Sequence, residues 1–92
     1  MIRSVAHKGL EEFFRKGSKA GIRPEHAKRL RLILGLLNAA RTLQDLDFPG
    51  SRLHPLRGDL EGFWSITVSG NWRIVFRFAD GEALDVDYVD YH

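Results

Sequence analysis

The chain has 92 residues, a length that supports one hydrophobic core and predicts a single domain over residues 1–92. Its 43% apolar and 28% charged residues exclude a disordered chain, and the absence of cysteine excludes a disulfide framework or a thiolate zinc site. The net charge of +2 hides an asymmetry, because residues 1–57 carry twelve Lys and Arg against five acids, whereas residues 58–92 carry two against seven. Such asymmetry favours a nucleic acid or an acidic surface as partner, the alternative being basic helices that serve solubility alone.

The first residues, Met1-Ile2-Arg3-Ser4-Val5, lead directly into a charged segment and contain no apolar stretch typical of a signal peptide. No stretch approaches the roughly 18 apolar residues that a membrane span requires. A chain without cysteine also fits a reducing compartment. We therefore expect an unprocessed, soluble protein in the cytoplasm, with no membrane association.

The first half of the chain predicts two helices. A β-branched run at Ile2–Ala6 indicates an edge strand, and apolar residues at helical spacing then predict a helix over Lys8–Lys16, which Gly17 ends. A second helix is predicted over Glu25–Ala40, with Pro24 at its first turn, where the missing N–H is not needed. Its apolar stripe comprises Ala27, Leu30, Ile33, Leu34 and Leu37. The basic residues lie off this stripe, so we expect the helix to pack inward and to present a basic surface.

The second half predicts an antiparallel meander, which a Pro-Gly turn within Asp45–Arg52 separates from the helices. Phe63–Val68 and Trp72–Phe78 are rich in strand formers and are joined by the hairpin loop Ser69-Gly70-Asn71. A tight turn at Asp80-Gly81 follows. After this turn the chain alternates again, and the two alternating sets are Leu84, Val86 and Tyr88 on one side and Asp85, Asp87 and Val89 on the other. The predicted fold class is α+β, with two N-terminal helices packed on one face of a twisted, mainly antiparallel sheet and the other face left for function.

Two polar segments contain residues suited to catalysis. His54 and Arg57 lie in Leu53-His54-Pro55-Leu56-Arg57-Gly58-Asp59, and on their own they are equally compatible with surface roles, with Arg57 paired to Asp59. Asp90-Tyr91-His92 combines a carboxylate, a phenol and an imidazole, the groups that general acid–base chemistry uses. The structural alternative is that Tyr91 packs, Asp90 pairs with an arginine and His92 extends into solvent.

The sequence lacks the residue patterns that metal, nucleotide and serine-nucleophile sites require. The histidines show no paired spacing and the acids are spread along strands, so we expect no metal. The four histidines are His7, His26, His54 and His92. The glycines form neither a phosphate-binding loop nor a dinucleotide fingerprint, so no nucleotide cofactor is expected. Ser65 and Ser69 stand outside any recognisable nucleophile motif.

Four motifs stand out when the segments are read together. They are Leu53-His54-Pro55-Leu56-Arg57-Gly58-Asp59, Gly62-Phe63-Trp64-Ser65-Ile66-Thr67-Val68, Asn71-Trp72-Arg73-Ile74 and Asp90-Tyr91-His92. In combination they resemble the HigB toxins of the RelE/ParE-like toxin–antitoxin superfamily, and His7-Lys8-Gly9-Leu10 extends the resemblance over nearly the whole chain. The resemblance implies a RelE-like fold of the microbial RNase type. It also implies cleavage of messenger RNA in the ribosomal A site.

The resemblance further implies which residues form the site. It assigns catalytic roles to the histidine of the HPL segment, the basic residue three positions later and the Asp-Tyr-His ending: His54, Arg57, Asp90, Tyr91 and His92. Arg73 matches a basic residue that contacts the scissile phosphate. Close relatives commonly carry lysine where this chain has Arg57. Arginine stays protonated, so this position can stabilise charge but cannot pass on a proton.

The partners that the resemblance implies are a HigA-like antitoxin with a helix-turn-helix domain, the 70S ribosome with message in its A site, and operator DNA bound through the toxin–antitoxin complex. It implies neither a cofactor nor a metal. Two alternatives share the fold. One is a ParE-like gyrase poison, against which Asp90-Tyr91-His92 argues, and the other is a non-catalytic nucleic-acid-binding module in which only the basic surface acts.

Overall fold

The computed structural model describes residues 1–91, and within them two helices precede a four-stranded antiparallel sheet of strand order β1-β2-β3-β4. The helices are α1 (Lys8–Lys16) and α2 (Ala27–Ala39), and the strands are β1 (His54–Pro55), β2 (Trp64–Ser69), β3 (Trp72–Ala79) and β4 (Glu82–Asp90). Short 3₁₀ turns occur at Pro24–His26, Leu43–Leu46 and Gly58–Leu60. The predicted α+β class is confirmed.

Helix α1 has the predicted boundaries, and local hydrogen bonds explain both of them. His7 caps the start, because its Nδ1 accepts a hydrogen bond from the Leu10 N–H at 3.0 Å. Gly17 ends the helix in the left-handed conformation at φ 76°, and its N–H bonds to Phe13 O at 2.9 Å. Leu10 and Phe13 are buried, as their spacing predicts.

The loop before α2 packs directly on α1 through two glycines. A Cβ atom added at Gly9 would lie 2.3 Å from the Gly21 carbonyl oxygen, a separation that no side chain tolerates. The two backbones therefore touch only because both residues lack a side chain. This contact holds the start of α2 against α1.

The second helix lies where it was predicted, with a tighter first turn. Pro24–His26 forms a 3₁₀ turn, and the α-helical part begins at Ala27, a common arrangement at helix starts. All five residues of the predicted apolar stripe are buried.

Within residues 1–91, no helix is both long enough and apolar enough to cross a lipid bilayer.

A β-bulge in the last strand corrects one predicted pattern. The turn Asp80-Gly81 has two positive φ values, 53° and 76°, as in a type I′ hairpin. Further along, the register between β3 and β4 shifts because β4 contains one extra residue, and Asp85 there has φ 52°. The alternation predicted for Leu84 and Val86 is therefore wrong, since Val86 is fully buried and Leu84 only partly.

The N-terminal segment is not the predicted edge strand. Ile2 and Val5 instead form isolated parallel bridges to Ala83 and Val86 of β4. The Arg3 N–H donates to Ala83 O at 2.8 Å. The segment thus lies along β4, and its pairing is too sparse for a regular strand.

The helices cover one face of the sheet, and alternate strand residues point to opposite faces. On the covered face the sheet contributes Ile66, Ile74, Phe76, Val86 and Tyr88 to an apolar cluster that includes the buried residues of α1 and α2. Of the β3 residues, Ile74 and Phe76 are fully buried there. We call the opposite side of the sheet the open face.

Candidate active site

The strand register places one predicted site residue in each of two neighbouring rows of the open face. The first row crosses all four strands and contains His54, Ser65, Val75 and Asp87. The second row contains Thr67, Arg73 and Val89. Residues paired across antiparallel strands share a face, so His54 and Arg73 lie on the same side of the sheet, two strands apart.

His54 lies exposed on the edge strand β1. Its Nδ1 lies 3.0 Å from the backbone carbonyl oxygen of Arg52. A carbonyl can only accept a hydrogen bond, so Nδ1 carries the proton, and in the neutral ring Nε2 is left unprotonated. The local backbone therefore selects the tautomer in which Nε2 can take up a proton.

Arg73 is held at the β2–β3 hairpin. Its Nη1 donates to Gly70 O at 2.5 Å and to Trp72 O at 3.0 Å. Within residues 1–91 its other nitrogens make no hydrogen bond, so Nε–H and the Nη2 protons are left for a ligand. A guanidinium fixed on one side and open on the other suits phosphate binding.

Asp90 and Tyr91 lie at the same end of the sheet as Arg73. Asp90 is exposed and pairs with Trp72 in the β3–β4 register. The Tyr91 N–H donates to Asn71 O in the hairpin at 2.7 Å, and the Tyr91 side chain is 45% exposed. His92, the remaining predicted site residue, lies outside the described residues.

Arg57 lies apart from this group. It follows β1 and precedes the 3₁₀ turn at Gly58–Leu60, in the direction that leads away from the hairpin. It is exposed, and within residues 1–91 it makes neither a hydrogen bond nor an ion pair, including the alternative pair with Asp59. Arg73, Asp90 and Tyr91 therefore share the hairpin end of the sheet, with Arg73 on the open face and Asp90 on the side of Trp72. His54 lies further along the open face, and Arg57 lies beyond it.

The covered face contains a cluster of aromatic rings beneath the hairpin, which sequence reasoning missed. The ring centroids of Trp72 and Tyr88 are 4.7 Å apart, and His7 and His26 pack edge-on against Tyr88 at 5.4 and 6.0 Å. His26 Nδ1 and the Tyr88 hydroxyl are 2.6 Å apart. Burial raises the pKa of the Tyr88 phenol, which therefore stays protonated at neutral pH. The cluster supports the part of β4 that leads to Asp90.

This cluster separates the histidines into two groups. His7 is engaged as a helix cap and His26 is buried against Tyr88, so neither is free for chemistry. His54 is the exposed imidazole of the described part of the chain that lies on the open face. No spacing in the sequence distinguishes these roles, because the partners of His26 and His7 are distant in the chain.

The floor of the open face is unexpectedly polar. The hydroxyls of Ser65 and Thr67 are buried and make no hydrogen bond within the described residues. Further along the face, Arg77 pairs with Asp85 at 3.5 Å and lies 6.0 Å over the Phe63 ring.

Among residues 1–91, no group of three His, Asp or Glu side chains could hold a metal ion.

Comparison with known proteins gives full-length matches. A family model described as the RelE-like toxin of the type II toxin–antitoxin system HigB matches residues 3–92. The chain is 44% identical over 92 residues to endoribonuclease HigB of Proteus vulgaris, covering 100% of both chains. It is 36% identical over 87 residues to toxin HigB-1 of Vibrio cholerae serotype O1, covering 92% of this chain and 90% of the relative.

Two solved structures share the fold. A mutant of YafQ from E. coli superposes with a TM-score of 0.56 at 19% identity, covering 92% of this chain and 88% of YafQ. The YoeB/ParE toxin from Agrobacterium tumefaciens superposes with a TM-score of 0.55 at 20% identity, covering 97% and 95%. At this identity the similarity shows the RelE-like fold alone.

Proposed function

The chain belongs to the HigB-like family of RelE-like toxins from type II toxin–antitoxin systems, and on this premise we propose that it is an endoribonuclease that cleaves messenger RNA in the ribosomal A site and so inhibits translation. The observation that carries the proposal is the end-to-end match with a relative named as an endoribonuclease. The open face, which bears both His54 and Arg73, supports it. One domain of residues 1–92 then carries the activity.

RNA supplies its own nucleophile, the 2′-OH next to the scissile phosphate. The protein has to provide a base for the 2′-OH proton, an acid for the 5′-oxygen leaving group, and positive charge for the phosphate oxygens. Attack by the 2′-oxygen breaks the bond from phosphorus to the 5′-oxygen. The products are a 2′,3′-cyclic phosphate and a 5′-hydroxyl.

His54 takes an acid–base or phosphate-binding role in this scheme. Its Nδ1–H is engaged by the Arg52 carbonyl, so Nε2 is the nitrogen that exchanges a proton with RNA. We assign Asp90 and His92 to proton transfer or to its positioning. Tyr91 orients the substrate, either by stacking on a base or through its phenol, and its exposed ring suits both.

Arg57 and Arg73 stabilise the negative charge that develops on the phosphate. Arg73 keeps Nε and Nη2 open beside the hairpin, and Arg57 is exposed and unpaired within residues 1–91. At most about 10 Å of extended chain separates Arg57 from His54, so both can reach the backbone of one bound RNA. Arginine binds phosphate oxygens in a bidentate manner, which suits a charge-stabilising role at the position of Arg57.

The proposed partners follow from the family. The chain binds a HigA-like antitoxin with a helix-turn-helix domain, and the complex binds operator DNA. The basic N-terminal half supplies affinity for ribosomal RNA, which should weaken as salt rises. The site of action is the cytoplasm.

The proposal is tested by mixing the purified chain with 70S ribosomes programmed with a defined message and mapping the RNA 5′ ends by primer extension. We expect cuts within the A-site codon that the antitoxin suppresses, and survival of the same RNA without ribosomes. Rapid cleavage of naked RNA would refute ribosome dependence, because the protein alone would then align the 2′-OH for attack. An intact message together with trapped gyrase–DNA cleavage complexes would point to a gyrase poison instead.

A further inference from the structure

The segment Gly50–Arg52, just before the edge strand, is held by bonds from α2 and β2. Arg29 of α2 donates from Nη2 to Gly50 O at 2.9 Å and to Thr67 O at 3.1 Å. The Thr67 N–H in turn donates to Ser51 O at 2.9 Å. A single guanidinium thus joins the second helix, the loop and the second strand.

The Arg29 side chain is packed against the rest of the protein and is not a free surface group. Its side chain is partly buried, and its guanidinium lies 5.7 Å over the Phe48 ring. Strand β1 pairs with β2 only at Trp64 and Ser65. The edge of β2 at Thr67 would therefore lack partners without Ser51 and the Arg29 side chain, and an unpaired buried backbone group is costly.

The last residue of the held segment adopts a strained conformation. Arg52 has φ 49°, in the left-handed region that side chains other than glycine rarely adopt. Such a conformation persists only where the surroundings enforce it. The carbonyl of Arg52 is the one that binds His54 Nδ1 at 3.0 Å. The geometry of this segment therefore determines the tautomer and orientation of the His54 ring.

We propose that Arg29 is a positioning residue for His54: its hydrogen bonds to Gly50 and Thr67 hold the Arg52 carbonyl in the place where it orients the imidazole and keeps a proton on Nδ1. The inference rests on the proposed function, since it concerns the part that His54 plays in RNA cleavage. Arg29 itself touches no reacting atom, because it acts through the loop.

The test compares Arg29→Met and Arg29→Lys with the wild type in three measurements. These are the single-turnover cleavage rate over a range of programmed-ribosome concentrations, the melting temperature, and the ¹⁵N chemical shifts of the His54 ring, which report its tautomer. We expect Arg29→Met to lower the saturating rate on the order of 10- to 100-fold, with a smaller change in the half-saturating concentration. We also expect His54 to lose its preference for a proton on Nδ1. Arg29→Lys should recover part of both, because one ammonium can bind one of the two carbonyls.

Ile33→Val is the matched control, since Ile33 lies one turn further along α2 and is fully buried in the core cluster. It should lower the melting temperature and leave the His54 tautomer and the saturating rate unchanged. The inference is overturned if Arg29→Met leaves the tautomer unchanged, whatever happens to the rate. It is also overturned if the tautomer changes and the rate does not.

Failure of the proposed function gives a different result. In that case the wild-type chain itself cuts no message on ribosomes. The ¹⁵N comparison between wild type and Arg29→Met still decides whether Arg29 controls the His54 ring.

Discussion

The covered and open faces of the sheet are formed by alternate residues of the same strands, yet they differ in what fills them. On the covered face, Ile66, Ile74 and Phe76 are fully buried in one apolar cluster with the helices. On the open face, Ser65 is equally buried, but its hydroxyl has no hydrogen-bond partner within the described residues. His54 and Arg73 lie on this side of the sheet.

The difference indicates how stability and function are divided in so small a protein. Burial of apolar area on the covered face supplies the driving force for folding. Polar groups without partners contribute nothing to stability and reduce it where they are buried. The open face therefore retains residues that the fold does not need, which is typical of a functional surface. Substitutions on the two faces should separate stability from activity.

The largest effect is expected at His92. His92→Ala and His92→Gln should lower the cleavage rate about 10²–10⁴-fold, because a positioned imidazole typically contributes this much to an acid–base step. The melting temperature and antitoxin binding should stay at wild-type values. Primer extension on ribosome-bound message measures the rate, and thermal melts and pull-downs measure the rest. Wild-type cleavage by both variants would show that His92 takes no part in the reaction.

The second prediction compares two neighbouring residues of β2 that point to opposite faces. Ile66→Ala should lower the free energy of unfolding by about 2–5 kcal/mol, because it opens a cavity in the core. Thr67→Val should leave it within about 0.5 kcal/mol of wild type or raise it, since the hydroxyl that it removes has no partner within the described residues. Urea denaturation of both variants checks this, and a large loss in Thr67→Val would mean that a buried water satisfies the hydroxyl.

A smaller effect is expected at Arg57. Arg57→Ala should reduce the single-turnover rate about 10²–10³-fold if the position stabilises charge, whereas Arg57→Lys should keep most of the activity. Stability should not change in either variant, because Arg57 is exposed and unpaired within residues 1–91. An alanine variant as active as wild type would show that Arg57 does not belong to the site. The distance of Arg57 from the hairpin end of the sheet would then explain the result.

Local signals in the sequence were sufficient for most of the fold. The spacing of apolar residues and Gly17 gave the boundaries of α1, the apolar stripe gave the buried side of α2, and the Asp80-Gly81 turn was identified correctly. The bulge at Asp85 was missed, because apolar and polar residues alternate without a break from Leu84 to Tyr88 in the sequence. The weak pairing of the N-terminal segment was missed because it depends on β4, which is distant in the chain.

By itself, the sequence determined the fold class and the family, since the first depends on local periodicity and the second on motifs that extend over nearly the whole chain. Only the tertiary structure decided which histidines are structural and how His54 is held. The His26–Tyr88 contact joins residues 62 apart, and Arg29 reaches Gly50 across 21 residues. No periodicity or spacing in one sequence encodes such pairs, because they form only when the helices, the loop and the sheet pack around a common core.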